Sequence, residues 1–246
     1  KKSVRDTQSI TGINYQVVES PETDSHSIRL FDIVELKLRI YTNNLELVNT
    51  YANKSIYYYY TDTPQFNSDL SAFLIGLNSG DSISYRLTAQ ELYHGNVTSP
   101  LKPEDTVYVG ARIIGFYNER ELIDKKASEY KLNFSQRGNA VYSVVKRGKG
   151  KSIEAGDSVQ LNYVGTLIQN GKEFNNTYEY ERPFSFRMGK QSLINAWKEI
   201  LPGLREGDSL ILMTHSLDAF GYGGNPPAIP PYSPLHFKIK VEKVIP

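Results

Sequence analysis

The chain has 246 residues, 39% of them hydrophobic and 12% aromatic, enough for two cores of ordinary domain size. Its 28 basic residues face 27 acidic ones, so a net charge of +1 supplies no field for nucleic acid, and no Lys/Arg stripe accompanies the tyrosines. Cysteine is absent, which removes disulfides, zinc-thiolate sites and thiol nucleophiles together, and no run approaches the ~18 apolar residues of a membrane helix.

The chain opens on KKSVRDTQ, without Met. Period-two strand writing follows in Tyr15-Gln-Val17-Val18 and in Phe31-Asp32-Ile33-Val34-Glu-Leu36-Lys-Leu38. The tyrosine run from Tyr57 to Tyr60 reads as alternating strand faces rather than a stacking platform for bases or sugars. Ile75-Gly76-Leu77-Asn-Ser-Gly80-Asp81-Ser82 is a turn that leads into another alternating run, and Asp105-Thr-Val107-Tyr-Val109-Gly-Ala111-Arg-Ile113 is a later strand. From Asn118 to Leu132, NERELIDKKASEYKL spaces Leu122, Ile123, Ala127 and Tyr130 helically among charges, which predicts a connecting helix with one face docked. The domain boundary falls in that helix or at the Arg137-Gly138-Asn139 turn.

Strand writing resumes with Tyr142-Ser-Val144-Val145 and Gly156-Asp157-Ser-Val159-Gln-Leu161-Asn-Tyr163. Ser192 to Ile200, SLINAWKEI, sets Leu193, Ile194, Trp197 and Ile200 on one apolar stripe of a short helix, which Pro202-Gly203 ends. The second half repeats the first. Pro202-Gly203-Leu204-Arg-Glu-Gly207-Asp208-Ser209 follows Ile75 to Ser82 at a constant offset of 127, and Pro234 to Val241 parallels the Asp105 strand. Shared spacing over this length predicts a tandem duplication rather than a solenoid.

Late in the chain, GYGGNPPAIPP sets four prolines and three glycines within Gly221 to Pro231, a segment both stiff and permissive. Together with GDSVQLNYVGTLIQNGKEFNNTY, RPFSFRMGKQSLINAWKEILPGLREGDSLIL and DAFGYGGNPPAIPPYSPLHFKIKVEKV, it resembles the FKBP-type peptidyl-prolyl isomerases over residues 138 to 246. In that family the segment is the loop overhanging a proline-binding pocket. The resemblance implies an α+β, β-rich chain: a degenerate FKBP-like domain over 1–117, a connecting helix or linker over 118–137, and an isomerase domain over 138–246. Each domain is expected to be a bent antiparallel sheet wrapped on a short helix.

The implied pocket has Trp197 as its floor, with Tyr163, Phe174, Phe184, Phe186, Leu193, Ile194, Phe220, Ile229 and Phe237 as walls and Ala228 thinning the loop's contact surface. The Ile194 N–H is the implied donor to a ligand carbonyl, and the chemistry needs no cofactor and no metal. Asn175 stands where the family usually has Asp, and Phe220 where it has Tyr, so weak activity is expected. The first copy departs further, with Leu70 at the Trp position, Leu47-Val48 at the Phe-Asn pair, and a loop shortened to His94 through Pro100. No active pocket is expected there.

The expected partners are proline-containing peptides or unfolded segments, with no nucleic acid. The same cradle could serve as a binding module or chaperone without turnover, and the first copy could form a homodimer interface. The missing cysteines, the missing Met and the foldase-like plan suggest an exported or lipid-anchored bacterial protein, periplasmic or otherwise extracytoplasmic. Other readings fail on spacing. Gly150-Lys151-Ser152 lacks the earlier glycine of a phosphate loop, since Val145 stands there, and His26, His94, His215 and His236 show no ligand spacing. No G-x-S-x-G elbow is present.

Overall fold

The computed structural model describes residues 4–8, 14–18, 27–52, 55–59, 74, 77–180, 182–190 and 192–246. The readings placed on Tyr60, Leu70, Ile75, Gly76 and His26 lie outside these residues. The chain divides into two compact units, Lys1–Asn118 and Glu119–Pro246.

The first unit is an antiparallel sheet of β1 (Val4–Gln8), β2 (Asn14–Val18), β3 (Ile33–Tyr41), β4 (Glu46–Asn49), β5 (Ile56–Tyr59), β6 (Ser82–Thr88) and β7 (Thr106–Tyr117). It runs β4-β3-β7-β6-β2-β1, with β5 paired to β3. A short helix α1, Ala89–Leu92, follows β6. Sequence reading passed over α1, although Thr88 and Glu91 write a capping box. The Thr88 hydroxyl accepts from Glu91 N–H at 3.2 Å, and the Glu91 carboxylate accepts from Thr88 N–H at 2.6 Å.

The second unit opens with helix α2 (Glu119–Ser128), shorter than the predicted span, which packs on β13. Its sheet holds β8 (Ser135–Arg137), β9 (Ala140–Lys146), β10 (Ser158–Leu167), β11 (Glu173–Asn176), β12 (Phe184–Arg187), β13 (Ser209–Thr214) and β14 (Leu235–Ile245). The order is β11-β10-β14-β13-β9-β8, with β12 paired to β10, which is the order of the first sheet strand for strand. Helix α3, Asn195–Ile200, lies on the inner face, where Ala196, Trp197 and Ile200 are buried among Val159, Leu161, Leu212, Phe237 and Ile239.

The repeated Gly-Asp steps have one physical cause. Gly80 and Gly207 take φ of +88° and +91°, which a side chain resists. The following aspartate is buried and its carboxylate accepts the N–H three residues back, Asn78 to Asp81 at 2.9 Å and Arg205 to Asp208 at 2.8 Å. These turns launch β6 and β13.

Candidate active site

Tyr163 enters the site from β10, and a polar lattice holds the strand end. Tyr163 N–H donates to the Thr177 hydroxyl at 2.9 Å, and Thr177 N–H donates back to the Tyr163 carbonyl at 3.0 Å. The hydroxyl donates to Asn162 Oδ1 at 3.0 Å, while Asn162 Nδ2 donates to Glu242 at 3.0 Å. The Tyr163 ring then meets the Trp197 indole edge-on, with centroids 5.0 Å apart and planes at 87°. Burial pushes the Tyr163 hydroxyl above the usual tyrosine range, with a smaller contribution from Tyr180.

Phe174 reaches the same cluster from β11 by lying across β10 at Gly165. A Cβ on Gly165 would stand 2.5 Å from the Phe174 ring, so the close approach requires glycine. Phe174 thereby packs edge-on against Phe237 at 5.8 Å, and Phe237 lies 5.4 Å from Trp197. Phe184 closes the box at 5.8 Å from Trp197, while Phe186 sits deeper, against Phe184 at 5.5 Å. Trp197 is 4% exposed, and its indole N–H has no hydrogen-bond partner among the described residues. Asn175 Oδ1 is also buried without a partner among the described residues.

The predicted helix over 192–200 starts later. Ile194 is extended, with φ −60° and ψ 147°, and forms the N-cap of α3; its carbonyl accepts from Trp197 N–H at 3.0 Å and Lys198 N–H at 3.2 Å. The Ile194 N–H itself has no partner among the described residues, as expected of the first amides of a helix. Leu193 is buried and Ile194 half-buried beside the cluster.

The proline-rich loop folds back on itself. Asn225 N–H donates to the Ile229 carbonyl at 2.8 Å and Ile229 N–H returns to Asn225 at 3.0 Å, which buries Ile229 and packs Ala228 on the core. Phe220 is set apart from the other candidates. It is 38% exposed and makes no ring contact with the cluster among the described residues.

The turn that carries Phe220 is anchored from α2. Ser216 N–H and Oγ–H donate to the two Glu119 carboxylate oxygens at 2.6 and 2.7 Å, and the Ser216 carbonyl accepts from Gly221 N–H at 2.7 Å. Neither Glu119 nor Thr177 nor Gly165 was picked out in the sequence. Only Gly165, a glycine inside an alternating strand, left a readable signal.

The cluster is therefore a set of packed rings, without a charged side chain among the residues that form it. Ile194, whose N–H has no partner among the described residues, packs beside it. Such a cluster presents apolar ring surface where Phe184 is exposed. It offers no nucleophile and no base, and no group of metal-ligating side chains occurs among the described residues.

Residues 149–242 match the family model described as FKBP-type peptidyl-prolyl cis-trans isomerase. Over 127 residues the chain is 39% identical to the FKBP-type peptidyl-prolyl cis-trans isomerase FkpA of Escherichia coli, which covers 52% of this chain and 45% of that protein. It is 31% identical over 112 residues to FK506-binding protein 59 of Drosophila melanogaster, covering 45% of this chain and 25% of the relative. The match thus spans less than half the length of either relative. The crystal structure of FkpA from Escherichia coli aligns at 36% identity and a TM-score of 0.45, over 52% of this chain and 60% of that one.

Proposed function

From an FKBP-type peptidyl-prolyl isomerase domain at residues 149–242, we propose that this protein catalyses cis-trans isomerisation of X-Pro bonds in other polypeptides, at a modest rate and without a cofactor. The observation that carries the reading is the cluster of rings packed on Trp197, with Ile194, whose N–H has no partner among the described residues, packed beside it. The barrier to rotation about a peptide bond is roughly 18–20 kcal/mol because the planar amide is resonance-stabilised. A proline ring seated on Trp197 leaves water, and the apolar walls disfavour the charge-separated planar amide relative to the twisted one. In this reading Tyr163, Phe174, Phe184 and Phe237 form the walls, Phe186 and Leu193 back them, and Ile229 with Ala228 covers the top. Ile194 N–H holds the carbonyl.

Asn175 and Phe220 make the rate modest. An amide replaces a carboxylate acceptor and a ring edge replaces a hydroxyl, each loss costing on the order of 1 kcal/mol where the contact strengthens in the transition state. A second reading, in which the cradle holds unfolded segments without turnover, is favoured by the exposed rings of Phe184, Phe220, Tyr178, Tyr180 and Tyr222. The matching strand orders support descent of both units from one duplicated domain, with the first serving spacing or self-association.

The test is Ile194→Pro against Ile194→Leu in a protease-coupled isomerisation assay on a Leu-Pro peptide. Proline fits φ −60° and removes only a free N–H, so the fold is expected to survive while kcat/KM falls about tenfold. Leucine keeps the donor and the rate. Equal activity in both variants would remove the carbonyl-holding role.

A further inference from the structure

The first unit carries a cavity on the sheet face turned away from its core. Strand register sets the outward side chains of β3, β7 and β6 in three rows: Tyr41–Tyr108–Arg86, Arg39–Gly110–Ser84 and Lys37–Arg112–Ser82. The loop after β4 closes one side with Tyr51, leaving about 350 Å³ over the first two rows. Tyr41 and Tyr108 stack with centroids 5.2 Å apart and planes at 19°, and the Arg39 guanidinium covers Tyr41 at 4.8 Å. The floor is bare backbone: no heavy atom lies within 4 Å of where a Gly110 Cβ would stand.

The charge on this face is one-sided. Glu46 neutralises Arg39 through a 2.9 Å contact, but Arg86 and Arg112 are exposed and make no ion pair among the described residues. Burial pushes the Tyr51 hydroxyl above the usual tyrosine range against the pull of Arg112 and Arg39, so both guanidiniums lie within electrostatic reach of it.

We propose that this cavity binds an anionic saccharide, a sugar ring carrying a carboxylate or phosphate, with its apolar face on the tyrosines and its charge reaching Arg112 in the adjoining row. Tyrosine faces suit the C–H face of a pyranose, and guanidinium forks match both anions bidentately. Ser84, Asn49 and the tyrosine hydroxyls ring the cavity with partners for hydroxyl groups. The volume sits at the low end for ligand pockets, which fits a ligand of one or two rings.

Other occupants fit less well. An extended peptide binds a sheet edge or a long groove, whereas this cavity opens over β7, an inner strand. A nucleic-acid strand needs a track of cations longer than three rows. A second copy docked through the same face would oppose arginine to arginine.

The test is calorimetric titration of the full chain with digalacturonate and with glucose 6-phosphate, beside maltose, inorganic phosphate, a tetraglutamate peptide and a short oligonucleotide. Expected is binding of at least one charged sugar, weakened by salt and about tenfold tighter than maltose. Gly110→Val is expected to abolish it by filling the floor, and Arg112→Ala to weaken it about tenfold. Thermal melting follows the fold of both, and Arg112→Ala carries the test alone if the valine variant unfolds. The proposal is overturned if neither charged sugar binds, if maltose or bare phosphate binds as tightly, or if the peptide or oligonucleotide binds more tightly. Binding that survives both substitutions would overturn it too, by placing the site elsewhere.

Discussion

At the scale of single residues, Trp197 and Gly165 are complementary. The indole is the centre on which Tyr163, Phe184 and Phe237 pack, and the glycine lets Phe174 cross the strand and reach Phe237. Gly165→Ala is expected to push the Phe174 ring aside, destabilising the second unit by about 1–3 kcal/mol and lowering isomerase activity. Denaturant midpoints and the coupled assay read the two effects. Unchanged stability would mean that Phe174 moves without loss. Trp197 was legible because flanking motifs tie it to a family pattern. Thr177 and Ser216 were not, since a buried threonine or serine looks in sequence like any surface one. Their positions follow from strand register and from a carboxylate 97 residues away in the chain.

At the scale of elements, β10, β14 and the turn after α2 meet around one histidine. His236 is buried, its two ring nitrogens lying 2.8 Å from the Tyr130 hydroxyl and 2.9 Å from the Thr166 hydroxyl. Burial, then Lys126 and Lys238, lowers its pKa from 6.5 to about 4. The folded form therefore keeps the ring neutral where the unfolded chain would already bind a proton. Its contribution is full above pH 6.5 and is lost as pH falls toward 4, about 3 kcal/mol in all. His236→Asn is expected to flatten the stability profile between pH 6.5 and 4, measured by urea midpoints; parallel profiles would contradict the assignment.

The helices were legible as amphipathic stripes, but their starts were not. A stripe beginning at Leu193 does not reveal that Ile194 is extended and that α3 begins at Asn195, because the cap depends on backbone angles rather than hydrophobicity. α1 has the opposite history. Its capping box stood in the sequence, and the segment is too short to show a period.

At the scale of the whole molecule, the constant offset of 127 residues makes the repeated order of elements legible in the sequence, because the Gly-Asp turns recur with the strands they launch. The tyrosine and arginine face of the first unit was not legible. It depends on which residues of three strands fall in one row, and no single strand records that. The placement of α2 bears on where the second unit starts. A fragment beginning at Glu119 keeps the Glu119 clamp on Ser216 and the Tyr130 contact to His236, whereas one beginning at residue 138 loses both. The shorter fragment is expected to melt several degrees lower, on the order of 4–8 °C per kcal/mol lost for a unit of this size. Equal melting temperatures would make α2 dispensable to the domain.

The central claim is that the Trp197 recess turns over X-Pro bonds at a rate limited by Asn175 and Phe220. Its most direct measurement is the protease-coupled isomerisation rate on Leu-Pro and Phe-Pro peptides for the wild type, Trp197→Ala and the Asn175→Asp, Phe220→Tyr double variant. Expected are slow but measurable catalysis by the wild type, its loss on removing the indole, and a gain in the double variant. A wild type and a double variant that are both folded and both silent would contradict it, leaving the recess as a binding cradle at most.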